Sequence, residues 1–310
     1  MRILVTGGAG YIGSILAGHL LRAGHTVTVV DSLLQGVQGL YQYCGTQGFD
    51  FVLGDVRDER VMKPLIERHD VLIPLAAIVG MPACDRDPVN AQGTNYEAIA
   101  LIDRLRSAQQ LIIYPCTNSG YGTKSGDVYC TEETPLEPVS LYGRTKVGAE
   151  RLLLDAGNAV TLRLATVFGV SPRMRLDLLV NDFTFRAARD RVLVLYEPHF
   201  KRNYVHIEDV ARAFLHVVEH PDILRGQAYN VGLDDANLSK RELADRIRLQ
   251  VPALYVHEAE VGTDPDRRNY IVSNEKIRKT GFAAERTLDE GIRELLLAFR
   301  MTPRGPLVNA

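Results

Sequence analysis

At 310 residues the chain is long for one small domain and points to about two, with length enough to bury a core without disulfide or metal staples. A content of 46% hydrophobic and 24% charged residues fits a soluble globular protein, and 36 Lys+Arg against 38 Asp+Glu, a net charge of −2, argues against a nucleic-acid binder with its basic stripe. The longest apolar stretch, 71–84, is broken by Pro and Gly and is too short to cross a membrane. The first strand is expected at 3–6, stopped by glycines and without the extended apolar region or cleavage site of a signal peptide. Helix 12–22, strand 26–30, strand 51–54, helix 60–67, strand 71–74, helix 96–107, strand 111–115, helix 141–154 and strand 160–164 follow. These strands are continuously apolar, which suits a parallel sheet buried on both faces, and their alternation with helices predicts an α/β, doubly wound Rossmann sheet.

Beyond residue 164 the pattern changes. A loop at 170–175 bearing Pro and Arg leads into a helix at 177–189, a strand at 192–195, a βαβ-like stretch at 203–232 and helices at 240–249, 274–279 and 288–299. No repeat, low-complexity segment or Gly/Ser linker separates them. The chain is therefore read as a first domain, 1–165, completed by about 203–233, interleaved with a smaller α/β domain from 166–202 and 234–310. Cys44, Cys84, Cys116 and Cys130 form no CxxC pair and no metal-ligand spacing, so reduced thiols in a cytoplasmic protein and no metal are expected.

The first strand runs into Thr6-Gly7-Gly8-Ala9-Gly10-Tyr11-Ile12-Gly13. Gly7 suits the tight turn, Gly10 lets backbone approach a diphosphate, and Gly13 lets the helix pack on the strand. The helix N-terminus at Tyr11 and Ile12 then offers free N–H groups to phosphates. Asp31, followed by Ser32, ends the second strand, where a carboxylate accepts from the adenosine ribose hydroxyls and repels a 2′-phosphate, so NAD is expected over NADP. A tight βα turn with no ligand would use similar glycines; the acid in place favours the cofactor. Asp55 and Val56, after the third strand, are candidates for the adenine, and Leu75, Ala76 and Ala77, after the fourth, leave room for the cofactor; ordinary loop packing is the alternative for both.

Tyr142 and Lys146 stand at i and i+4, on one face of a helix. A phenol with a pKa of about 10 is a poor base at neutral pH, and a nearby ammonium lowers that pKa. Lys146 also suits a hydrogen bond to the nicotinamide ribose. Tyrosinate then takes a substrate hydroxyl proton while hydride leaves the same carbon. Thr117, at the end of the fifth strand, places a hydroxyl where it can share that proton. A solvent-facing helix pair is the alternative reading of Tyr142 and Lys146 taken alone.

Together the stretch TGGAGYIG, Asp31, the Tyr142/Lys146 pair, RNYVHIEDV at 202–210, YNVG at 229–232 and the closing stretch 264–277 resemble the extended short-chain dehydrogenase/reductases that modify nucleotide sugars, over nearly the whole chain. The resemblance implies a Rossmann domain, NAD held through the catalytic cycle, a C-terminal domain gripping a nucleoside diphosphate sugar, and a homodimer through the helices at 96–107 and 141–154. It implies that Arg202, and Arg267 or Arg268, contact the diphosphate, with surface salt bridging the alternative for Arg202. It places Asn95 near the nicotinamide and active-site loop, or as a helix cap. The chain departs from the family at three places: Thr117 replaces the usual Ser, Thr166 replaces an Asn, and Asn118 and Ser119 stand where 4,6-dehydratases carry an Asp-Glu pair. Dehydration is therefore not expected.

The stretch 165–183, with PCTNSGYG at 115–122, resembles a narrower subgroup, the GDP-manno-heptose 4-dehydrogenases of bacterial capsule synthesis. That resemblance implies C4 oxidation to a 4-keto sugar, with Arg173 and Arg175 toward substrate or phosphates and Asn181 hydrogen-bonding the sugar diphosphate; domain-hinge packing is the alternative for the stretch. A nucleotide-sugar 4-epimerase shares the first step and stays open, as does a non-catalytic NAD-sensing protein on the same fold.

Overall fold

The computed structural model describes residues 1–124, 129–260 and 268–301. Its strands are β1 (Arg2–Thr6), β2 (Thr26–Asp31), β3 (Phe49–Leu53), β4 (Val71–Pro74), β5 (Leu111–Thr117), β6 (Tyr129–Cys130), β7 (Ala159–Leu164), β8 (Thr166–Phe168), β9 (Val192–Leu195), β10 (Lys201–His206), β11 (Gln227–Val231), β12 (Asn237–Ser239), β13 (Tyr255–Glu258) and β14 (Ile271–Val272). Its helices are α1 (Gly13–Arg22), α2 (Glu59–Ile66), α3 (Met81–Arg86), α4 (Pro88–Gln92), α5 (Ala98–Leu105), α6 (Leu141–Ala156), α7 (Leu179–Arg189), α8 (Ile207–Glu219), α9 (Pro221–Leu224), α10 (Lys240–Gln250), α11 (Glu275–Arg278) and α12 (Leu288–Met301).

Seven strands pair in the order β11-β7-β5-β4-β1-β2-β3, all parallel. The chain order reverses between β1 and β4, so the loops leaving these two strands open a crevice at the carboxyl edge. One face of the sheet is covered by α1 and α8, whose Leu16, Leu20, Val210, Phe214 and Val217 are buried against Ile3, Val5 and Val27. The other is covered by α2, α5 and α6, with Met62, Leu65, Ile102, Val147 and Leu153 against Leu4, Leu72 and Ile112. Each of these buried side chains contributes about 1.5–3 kcal/mol of transfer free energy, which is why the strands read as unbroken apolar runs.

A second core joins α7, α10 and α12 through Val180, Phe183, Leu243, Ile247, Leu295 and Phe299, with Phe168 and Tyr204 from the small sheet β12-β10-β8. The strand expected at 203 lies in this small sheet, where β10 pairs parallel with β8 and antiparallel with β12. The switch occurs at Ala165: its N–H donates to Val231 O (2.9 Å) and the chain then leaves the large sheet. α8 and β11 return to that sheet's layers, and Leu224 of α9 and Ile277 of α11 join its core. The helix expected from 96 is shorter, running Ala98–Leu105, and is preceded by a π-helical turn over Gly93–Glu97. Among the described residues no helix is long and apolar enough to cross a membrane.

Candidate active site

The glycine turn sits at the crevice. Gly7 has φ +68°, and a Cβ there would lie 2.6 Å from Ala76 N. The N–H of Gly7 donates to Val30 O (2.9 Å) and that of Gly10 to Gly7 O (3.1 Å). A Cβ on Gly13 would lie 2.5 Å from Gly8 Cα, so α1 is seated directly on the turn. The β4 exit is tied to β1 by Leu75 N–H on Thr6 O (3.0 Å) and Ala76 N–H on Thr6 Oγ1 (3.2 Å). Asp31 faces the turn, its carboxylate accepting from Ala9 N–H (3.0 Å) and Leu33 N–H (2.8 Å). A turn too tight for a side chain, a helix N-terminus behind it and a carboxylate alongside fit a dinucleotide.

Other expected cofactor residues sit less directly. Val56 is buried, while the Asp55 carboxylate is taken by Arg57, whose guanidinium holds it below the usual carboxylate range. Asn95 is buried in the π-helical turn and clamps the loop after β4, accepting from Ile78 N–H (2.8 Å) and donating to Ile78 O (2.9 Å) and Thr145 Oγ1 (3.4 Å). It shapes the loop rather than capping a helix, and such turns recur at functional sites.

At the carboxyl end of β5, Thr117 Oγ1 donates to Ser119 Oγ (2.9 Å) and accepts from Ser119 N–H (3.1 Å). Arg268, just before β14, donates to the same Ser119 hydroxyl. Asn118 is fully buried, and its side-chain amide has no hydrogen-bond partner among the described residues. Such a group gains from any ligand atom that pairs with it.

Ser140 caps α6 through Gly143 N–H (3.1 Å) and sets Tyr142 and Lys146 in its first two turns. Lys146 is 3% exposed, its Nζ is 4.1 Å from the centroid of the Tyr114 ring, and its carbonyl accepts from Cys116 Sγ (3.7 Å). Burial pulls the ammonium down to about 8, opposed by Cys116 and Glu150. Burial pushes the Tyr142 phenol up to about 12, and the cations that oppose it are Arg175 and Arg268. The expectation of a lowered Tyr142 pKa is thus corrected: desolvation dominates, and the opposing charge comes from Arg175, before α7, and Arg268, before β14.

The 169–181 segment is knitted to the glycine turn. Tyr11 Oη donates to Gly169 O (2.7 Å); Asn181 accepts from Gly169 N–H (3.1 Å) and donates to Tyr11 Oη (3.1 Å) and Arg175 O (2.9 Å). Asn181 is fully buried, so its amide is spent behind the cleft, not facing it. Arg175 pairs with Asp177, and Arg173 reaches Gln35 in the loop after β2. Thr166 opens β8 opposite Tyr204. Arg202 is buried on β10; burial raises the Tyr204 phenol, and Arg202 and Arg268 are the charges that oppose it. Arg267 lies outside the described residues.

Sequence reasoning passed over Ser119 as the meeting point of Thr117 and Arg268, and over the buried Glu150–Arg163 pair beside Lys146. Continuing the four-residue step from Tyr142 and Lys146 would have reached Glu150. It also passed over His216, on the last turn of α8, and His220, its C-cap, an i, i+4 pair with ring centroids 4.7 Å apart; His216 Nε2 lies 3.0 Å from Thr280 Oγ1.

A model of the NAD dependent epimerase/dehydratase family matches residues 3–232. The chain belongs to that family. It is an NAD-dependent enzyme of the nucleotide-sugar epimerase/dehydratase type. It is 30% identical over 316 residues to a UDP-glucose 4-epimerase of Mycolicibacterium smegmatis, covering 97% of this chain and 99% of that one. It is 29% identical over 309 residues to the low-salt glycan biosynthesis protein Agl12 of Haloferax volcanii, covering 94% and 96%. Among solved structures, UDP-glucose 4-epimerase from Thermotoga maritima with UDP-glucose superposes with a TM-score of 0.85 at 25% identity, covering 97% and 99%.

Proposed function

We propose that this protein oxidises the C4 hydroxyl of a nucleoside-diphosphate sugar to a 4-keto sugar, with Tyr142, Lys146 and Thr117 as its catalytic residues. The observation that carries the reading is the placement of Tyr142 and Lys146 on α6 beside the Thr117 end of β5, on the carboxyl edge that also holds the glycine turn. When bound, NAD supplies the hydride acceptor. Tyr142 takes the hydroxyl proton, Thr117 donates a hydrogen bond to the same oxygen, Lys146 holds the nicotinamide ribose, and Arg175 and Arg268 are the cations that favour the phenolate. Gly7, Gly10, Gly13 and Asp31 hold the dinucleotide. Arg202 and Arg268 are assigned to the sugar diphosphate, and Arg173 and Arg175 to the wall around it. Asn181 acts through the loop it braces. The neutral Asn118 and Ser119 offer no acid and base for removing water, which supports redox chemistry without dehydration.

The 165–183 stretch supports a GDP-heptose-like substrate in surface polysaccharide synthesis, in a cytoplasmic enzyme. The relatives named UDP-glucose 4-epimerase favour a second outcome, in which C4 is re-reduced on the opposite face. Incubation with GDP-, UDP- and dTDP-linked sugars, followed by the absorbance of reduced cofactor and by product NMR, separates the two: a C4 ketone marks the dehydrogenase, an inverted C4 carbinol the epimerase. If no sugar gives either product, the reading fails. We also propose a homodimer through α5 and α6; a monomer mass by light scattering would exclude it.

A further inference from the structure

We propose that Glu150, braced by Arg163, is the positioning residue that keeps the Lys146 ammonium charged inside the protein. The proposal rests on the reading of Tyr142 and Lys146 given above.

Tyr142, Lys146 and Glu150 follow one another at four-residue steps along one face of α6. Glu150 is 1% exposed. Its Oε1 accepts from Arg163 Nε (3.0 Å) and Nη2 (2.7 Å), and its Oε2 from Thr161 Oγ1 (2.9 Å). Arg163 spends Nη1 on Tyr121 Oη (3.1 Å) and Glu132 O (2.9 Å). The carboxylate is therefore immobilised by the buried Arg163 of β7, one helical turn beyond Lys146 on its own helix.

One turn either side of Lys146 on α6 stand Tyr142 and Glu150. Tyr114 and Cys116 of β5 lie against it, and Arg163 of β7 lies beyond Glu150. Burial pushes Tyr114 and Cys116 well above their ordinary values and Tyr142 up to about 12, so all three are neutral near pH 7. Glu150 is then the anion of this set. Without its charge, Lys146 and Arg163 would be two buried cations with no counter-charge between them, and Lys146 is the one that can give up its proton.

The test uses the full chain labelled with ε-13C lysine, with the Lys146 resonance assigned by its loss in Lys146→Arg. In Glu150→Gln, which keeps an acceptor for Arg163 and Thr161 but not the charge, the Lys146 titration midpoint should fall by about one pH unit. In Arg163→Met the opposing cation is removed and the midpoint should rise by about as much. Glu150→Asp, which keeps the charge, should lie near the wild type. The limb of the sugar-dependent rate that tracks Lys146 should move in the same directions. A purely structural role would lower stability and leave the midpoint in place. An unmoved midpoint in both variants, shifts of the same sign, or loss of NAD binding in both overturns the proposal. A wild type inactive on every nucleotide sugar overturns the functional reading instead, while the midpoints still judge Glu150.

Discussion

Replacing Tyr142 by Phe should lower sugar-dependent reduction of the cofactor by about a thousandfold, within the range that a positioned acid or base contributes. The ring remains to pack on α6, and the Ser140 cap that starts the helix is untouched, so only a hydroxyl is lost. NAD affinity, measured by titration, should change little. The Tyr142 phenol is pushed up to about 12 by burial, so the ligand-free protein holds almost no phenolate at neutral pH. The rate should therefore climb with pH in the wild type, and the climb should disappear in the variant. A Tyr142→Phe protein within tenfold of the wild-type rate would sink the proposed chemistry.

Gly7→Ala should cost both stability and cofactor. A residue with a Cβ at φ +68° carries strain of about 1–3 kcal/mol. The added atom would also sit 2.6 Å from Ala76 N and 2.7 Å from Ala76 Cα, both backbone, and so would force apart the β1 and β4 exits that frame the crevice. NAD affinity should fall about a hundredfold or more, since each factor of ten needs only about 1.4 kcal/mol. Gly24→Ala is the control: its φ is +80°, but a Cβ there meets nothing within 4 Å. That variant should show the strain in denaturant unfolding and bind NAD normally. Equal NAD binding in Gly7→Ala and Gly24→Ala would contradict the close-approach argument.

Much of this arrangement is legible locally. The glycine turn, the acid at the end of β2 and the Tyr142/Lys146 step lie within single βα units or one helix, and the apolar runs announce the parallel sheet. Legibility ends where distant segments meet. Nothing near residue 119 says that Arg268 will reach its hydroxyl, nor does anything near 142 say that burial will outweigh the neighbouring ammonium. Asn181 looks like a substrate ligand because its type suits one, yet Tyr11, Gly169 and the Arg175 carbonyl use up its amide. The strand β8 is three residues long and exists only through β10, so no periodicity marks it. The π-helical turn around Asn95 breaks the 3.6-residue repeat, so periodicity starts the helix two residues early, at 96 rather than 98.

The late arrival of β11 bears on how the chain is made. It borders β7 in space but follows it in sequence by the whole excursion through β8, α7 and β10. During synthesis, β7 therefore emerges with its outer edge bare, and all six of its residues are buried in the finished protein. That edge is a template for pairing with another nascent chain until residues 227–231 leave the ribosome. The window between the emergence of β7 and of β11 is the stage at which misassembly competes most strongly with folding, and the stage at which a chaperone that shields strand edges is of most use.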